Sequence, residues 1–364
     1  MRKSCARAAA FIRRTFSFAL ATAEARTPPM QQLRGGGARQ DGILASEIAH
    51  GIDCQCYFTD NFFVPNRGHY VFHGSHRFKA DHAAELREMG TAASEELLQR
   101  LEREAARRRT AAVAAADRKR RVAAAYAPRH PELWELREEF LHADFVSLVR
   151  RARAGEPVAP QLEALADGVF PLPVFSETFC ARLCEEVAHF DASALPRGRP
   201  NSMNNAGVLL DELGLSPGLL GPLLRDYLGP LCAALPPLAA AGGSSLSHHK
   251  AFVVRYKLGE DEHLEEHYDN SEVTLNVNLG LDFEQGELLF HGRKGAPRAP
   301  LVAHEWSAGV GHGVLHVGEQ VHAALPITAG ERLNLVVWMR SPAHRRAHGC
   351  PMCGSTERLS YAPQ

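Results

Sequence analysis

The sequence predicts an α+β protein: a jelly-roll core of short antiparallel strands with flanking helices, preceded by a mainly helical region. Residues 75–155 are rich in Ala, Leu, Glu and Arg and poor in Gly and Pro, a helical composition. From Ser244 to Met339 the chain becomes a succession of short alternating runs punctuated by Gly, Pro, Asp and Asn, the pattern of a sandwich or jelly roll. Within that second region a His-x-Asp triplet, a later histidine and an arginine fall beside strand segments.

The 364 residues are 45% apolar and 23% charged, values typical of a soluble globular chain. A net charge of −1 supplies no global field toward nucleic acid or an anionic membrane. No uninterrupted apolar stretch approaches the roughly 20 residues of a membrane span. The eight cysteines are sparse and irregular, which suits a reducing compartment with buried free thiols. Cys350-Pro351-Met352-Cys353, with His344 and His348 beside it, has the spacing of half a zinc site. Arg2, Lys3, Arg7, Arg13, Arg14 and Arg26, with no acid before Glu24, give the N-terminus the composition of a mitochondrial transit peptide. An alanine- and arginine-rich extension on a cytoplasmic or nuclear protein is the competing reading.

Residues 1–45 are expected to be an unstructured extension, and 46–167 a mainly helical region. The basic runs Arg107–Arg109 and Arg118–Arg121 read as a solvated helix face, because acids are interleaved and no aromatics accompany them. Pro128 and Pro131 end that pattern, and a helix is predicted from Leu133 to Arg151 with Leu136, Phe140, Phe145 and Leu148 as anchors. Gly155–Pro160 reads as a linker. The jelly roll is expected over 168–345, with a C-terminal tail over 346–364. It opens on the apolar run Phe170–Phe175 and a helix that Ser176 caps and that runs to about His189. Strands are predicted at Ala251–Tyr256, Glu272–Leu279, Glu287–Phe290, Val314–Val317 and Leu333–Trp338.

Side chains two apart on a strand share a face, so His267 and Asp269 can meet one ion while Tyr268 points away. Val273, Leu275, Val277 and Leu279 form one apolar face, and Thr274, Asn276 and Asn278 the polar one. His322 precedes a predicted turn at Pro326–Gly330, after which Arg332 opens a strand. The expectation is a pair of antiparallel strands bringing both residues to one cavity. Two histidines and one carboxylate cover one face of a ferrous ion and leave the other open to dioxygen chemistry. The planar fork of an arginine deeper in the roll suits the far end of a dicarboxylate co-substrate. His316 and His312, and less so His291 and His304, compete for the third ligand position. His322 is favoured for its turn and its arginine.

Phe252–Tyr256, His267-Tyr268-Asp269, Thr274–Val277, Phe283–Leu288 and His322–Pro326 with Thr328, Gly330 and Arg332 resemble the prolyl and lysyl hydroxylase branch of the Fe(II)- and 2-oxoglutarate-dependent dioxygenases. These motifs lie within residues 250–340. The resemblance implies a double-stranded β-helix and iron held by His267, Asp269 and His322. It also implies 2-oxoglutarate held by Arg332, with Tyr256, Thr274 and Asn276 on the same wall. Dioxygen is the second co-substrate and L-ascorbate the reductant that keeps iron ferrous; succinate and CO2 are the by-products. A protein side chain is the substrate the resemblance suggests. A catalytically silent binding module is the alternative function. The chain departs from lysyl hydroxylases in lacking a secretory signal, a glycosyltransferase domain and a disulfide pattern, which argues against collagen.

Overall fold

The computed structural model describes residues 61–352 apart from 65–66, 202, 298–299 and 307–308. The expectations for residues 1–45, and for Cys353, lie outside the described residues. Within the region read as mainly helical, the described residues open with a hairpin, β1 (Asn61–Val64) against β2 (Gly68–Val71). Its Phe-Phe-Val and Tyr-Val-Phe sequences favour strands, and the Arg67 amide closes the turn on the Val64 carbonyl at 3.1 Å. Helices α1 (Ser75–Asp81), α2 (Ala83–Met89) and α3 (Thr91–Ala125) follow. Phe62, Tyr70, Phe72, Phe78, Leu97 and Leu101 make a small apolar cluster between hairpin and helices.

The basic face of α3 is largely exposed, as its interleaved acids imply. Arg118 and Lys119, however, pair with Glu212 and Asp211 at 2.9 and 3.0 Å. The helix predicted over Leu133–Arg151 is not continuous. It breaks into 3-10 turns at Pro131–Trp134 and Glu138–Phe140 and a helix α4 (Ala143–Arg153). Tertiary hydrogen bonds override the local preference: the Leu136 amide goes to Gly218 and the His142 amide to Val174, at 2.8 and 2.9 Å. Phe140, Phe145 and Leu148 are buried nonetheless.

Strand β3 (Val169–Pro173) leads into α5 (Glu177–Ala192), whose first turn is capped by Ser176 Oγ accepting from the Phe179 amide at 3.3 Å. After β4 (Gly207–Leu209) comes a leucine-rich helical run over Ser216–Ala240 that includes two π-helical turns. The remaining strands are β5 (His248–Lys257), β6 (Leu264–His267), β7 (Val273–Gly280), β8 (Phe283–Gln285), β9 (Leu288–Arg293), β10 (Val302–His304), β11 (His312–Val317), β12 (Gln320–Ala324) and β13 (Ile327–Arg340). A terminal helix, α6, spans Pro342–His348.

All pairings are antiparallel, in a larger sheet ordered β3-β11-β7-β13-β5-β4 and a smaller one ordered β10-β9-β12-β6. With its flanking helices this is the α+β class. One face of the larger sheet, including Val273, Leu275, Val277 and Leu279, packs on the helices in the main core. Its other face meets the smaller sheet through Phe252, Val254, Val336 and Trp338 against Leu288, Phe290 and Ala324. The expected split of β7 into apolar and polar faces is therefore what orients the sandwich.

His322 and Arg332 do not sit on paired strands. β12 pairs with β6 and β9 in the smaller sheet, whereas β13 pairs with β5, β7 and β8. The segment expected to be a turn is already strand from Ile327. Pro326 lacks the N–H needed to continue a ladder, and the chain crosses between sheets there.

Candidate metal centre

His267 is the last residue of β6, and in the β6/β12 register it faces His322 directly. The two rings are 4.2 Å apart between centroids. Asp269 follows in the crossover to the larger sheet, its amide bonded to the Gly318 carbonyl at 2.9 Å. One carboxylate oxygen lies 3.7 Å from His267 Nε2 and the other 3.9 Å from His322 Nε2. Among the described residues this trio is the group whose metal-ligating atoms all fall within 4.8 Å of one another. Tyr268 points away, its ring beneath the Lys294 ammonium at 4.4 Å.

His267 Nδ1 lies 2.8 Å from the Glu265 carbonyl, and His322 Nδ1 lies 2.9 Å from that of Gln320. A carbonyl only accepts, so each Nδ1 carries the proton and each Nε2 presents a lone pair to the carboxylate. A histidine metal ligand needs that tautomer. Burial, then the neighbouring His322, pushes His267 down to about 4, so its ring is neutral and able to ligate at neutral pH. Burial of Asp269 raises its carboxyl, but the three neighbouring imidazoles and the Thr274 hydroxyl outweigh it and hold the group below the usual range.

His316, weighed against His322 for the third position, also reaches the cluster. It is fully buried on β11, bonds its Nδ1 to the Val317 carbonyl at 2.9 Å, and places Nε2 3.8 Å from Asp269. Its Nε2 has no hydrogen-bond partner. Burial followed by His322 pushes it down to about 4. Directly opposite His316 on β7 is Thr274, whose hydroxyl donates to Asp269 Oδ2 at 2.7 Å. Because Thr274 spends its proton there, Ser271 is the donor in the 2.7 Å Ser271–Thr274 hydroxyl pair. Thr274 thus fixes the carboxylate as well as lining the adjoining cavity.

That cavity, about 30 Å³, is bounded by the trio together with Tyr256, Thr274, Asn276 and the pair Asn201 and Asn204. Asn276 accepts from Asn334 at 2.7 Å. Arg332 does not reach the cavity lining; it lies fully buried beside it, directly opposite Tyr256 in the β13/β5 register. Its guanidinium stands 4.6 Å from the Tyr256 ring, 5.3 Å from Phe283 and 5.2 Å from Trp306. One Nη donates to the Gly286 carbonyl, while Nε and the other Nη have no hydrogen-bond partner. Burial pushes Arg332 down to about 10, leaving it a cation at neutral pH. Two unpartnered donors on a buried cation ask for an anion.

The sequence pointed to Arg332 and Tyr256 but gave no role to the residues enclosing them. Gly286 has φ +80, and a Cβ there would sit 2.6 Å from the Arg332 guanidinium. Its carbonyl also accepts from Trp306 Nε1 at 2.9 Å. The usable signal was Gly286 itself, a left-handed glycine beside an apolar strand.

The sequence profile of the OGFOD2-like domain matches residues 122–240, upstream of the trio. Over 309 residues the chain is 41% identical to "2-oxoglutarate and iron-dependent oxygenase domain-containing protein 2" of Xenopus tropicalis, spanning 82% of this chain and 88% of that protein. The protein of the same name from Homo sapiens is 41% identical over 315 residues, covering 84% and 89%. The "Multifunctional procollagen lysine hydroxylase and glycosyltransferase LH3" of Rattus norvegicus is 30% identical over 230 residues, covering 57% of this chain and 28% of that one.

Proposed function

Because the chain belongs to the family of 2-oxoglutarate and iron-dependent oxygenase domain-containing protein 2, we propose that it hydroxylates a protein side chain, with His267, Asp269 and His322 as the iron ligands. The observation that carries the reading is the convergence of two Nε2 lone pairs and one ionised carboxylate, each ligand pre-set by a hydrogen bond. Such a donor set suits ferrous iron and leaves coordination positions for 2-oxoglutarate and dioxygen. The two-sheet core then corresponds to a double-stranded β-helix with the metal between the sheets.

Bound iron supplies the oxidative chemistry, in which 2-oxoglutarate leaves as succinate and CO2 and one oxygen atom enters the substrate. The chain's own residues bind, orient and exclude water. Thr274 holds Asp269 with one carboxylate oxygen turned to His267. Arg332 offers two free donors for the far carboxylate of 2-oxoglutarate. Phe283, Trp306 and Tyr256 keep that cation dry, which strengthens the bond it makes. Tyr256 and Asn276 line the adjoining wall. An ascorbate requirement for sustained turnover belongs to the same reading, as does a protein substrate, the class named for the procollagen hydroxylase above.

The test is succinate formation from 2-oxoglutarate by the full chain with Fe(II), ascorbate and air, alongside His267→Ala. Turnover in the parent and none in the variant is the expected result; equal turnover in both would end the proposal. Thr274→Val keeps the shape and removes the donor to Asp269. Supporting groups of this kind are worth about 10- to 100-fold in metal affinity, so iron affinity, read by titration, should fall by that factor. Arg332→Ala should raise the KM for 2-oxoglutarate by about two orders of magnitude, the scale of a buried charged contact. Arg332→Lys should recover only part, since an ammonium lacks the fork. An unchanged KM in Arg332→Ala would assign the anion elsewhere.

A further inference from the structure

Asn201 and Asn204 lie between α5 and β4, and the oxygenase reading gives them no task. Both are buried, at 7% and 1% exposure, and both border the cavity that His267, Asp269 and His322 help to enclose. We propose that Asn204 is a further co-substrate contact, its side-chain amide donating to a carboxylate oxygen of 2-oxoglutarate beside the two donors of Arg332. The inference rests on the oxygenase reading above.

The direction of the Asn204 amide follows from its neighbours. Asn201 Oδ1 accepts from the backbone amides of Met203 and Asn204, at 2.8 and 2.7 Å. The other terminal atom of Asn201 is therefore its nitrogen, and this donates to the Asn204 side chain at 2.9 Å. The acceptor there must be Oδ1, which leaves Nδ2 as the free end of Asn204. Nδ2 is closed off from solvent and has no hydrogen-bond partner. A buried donor without an acceptor is costly, and a cavity that keeps one suits a ligand that brings the oxygen. The backbone around it is tied down. The Asn204 carbonyl accepts from Arg199 Nε at 3.3 Å, and the Asn205 and Ala206 amides both donate to Asp261, at 2.6 and 3.1 Å.

Strand register indicates which ligand the donor meets. Tyr256 borders the same cavity and stands opposite Arg332 across β5 and β13. Burial raises the Tyr256 hydroxyl, and Arg332 and then Asn204 oppose that rise, so the amide approaches the phenol without closing a bond on it. Asn204 is thus at the Arg332 end of the cavity, where the co-substrate is held. A neutral amide there adds a bond to an anion whose charge Arg332 already balances.

The experiment is equilibrium binding of 2-oxoglutarate to the full chain loaded with Mn(II) in the absence of dioxygen, read by calorimetry. Parent, Asn204→Asp, Asn204→Ala and Arg332→Ala are compared, with thermal unfolding of each. Asn204→Asp keeps the shape and the oxygen that Asn201 holds, and puts an anion where the donor was. Its dissociation constant should rise by about 10- to 100-fold, the scale of a lost bond to a charged acceptor. Asn204→Ala should lose less, and it carries the test if the aspartate unfolds the protein. A residue that only supports its loop through Oδ1 predicts the reverse order, with the aspartate close to the parent. That order, or parent-like binding in both variants, would overturn the contact, and weak binding by Arg332→Ala alone would then leave the oxygenase reading in place. A parent that binds no 2-oxoglutarate would end both.

Discussion

Asp269→Ala is expected to end succinate production while the protein remains folded. Asp269 is the single carboxylate of the trio, and its oxygens face all three imidazoles at 3.7 to 3.9 Å. Removing it leaves neutral donors alone to hold a dication, and the loss should exceed the roughly 100-fold seen for supporting groups. The fold should survive because the backbone bond from residue 269 to Gly318 does not depend on the side chain. Succinate release, iron affinity and thermal unfolding measured together separate the outcomes. Retained turnover sinks the ligand assignment.

Glu272→Ala should produce the largest loss of stability. Glu272 and Arg345 are both essentially buried and paired at 2.7 Å, with the second Glu272 oxygen accepting from the Ser341 amide at 2.6 Å. Burial pushes the Glu272 carboxyl up, and Arg345 draws it back only in part. Removing one partner strands a buried guanidinium, a defect worth about 3–5 kcal/mol. Arg345→Ala should cost a similar amount, and the double variant less than the sum of the two. Denaturant unfolding provides the readout, and a single-variant loss under about 1 kcal/mol would show that the pair is compensated by other contacts.

The strand pattern made much of this arrangement legible. Alternation fixed the apolar and polar faces of β7, whereas His267 ends β6 and Asp269 lies beyond it, so the two meet at the crossover rather than as neighbours on one strand face. What escaped depends on partners distant in sequence. His316 joins the cluster because β11 pairs with β7 in the register that sets it opposite Thr274, and one strand's pattern carries no information about its neighbour's register. Trp306 and Gly286 enclose Arg332 from a loop and a strand junction whose local sequence looks like any turn. The break in the predicted helix over 133–151 was set by amides bonded to Gly218 and Val174, both far along the chain. His322 and Arg332 stand on strands of different sheets rather than within one hairpin, because Pro326 cannot continue a ladder.

The Nδ1 protons of His267 and His322 are held by carbonyls two residues earlier on their own strands. A carbonyl cannot be removed by exchanging a side chain. The protonation pattern of these histidines is therefore inherited with strand geometry, and residue-by-residue substitution around them should rarely disturb it. Evolution could thus redesign the neighbouring walls for new substrates without renegotiating the ligands. Conversely, a laboratory hunt for tuning mutations should begin with the side chains that touch Asp269, the hydroxyl relay through Ser271 and Thr274 first.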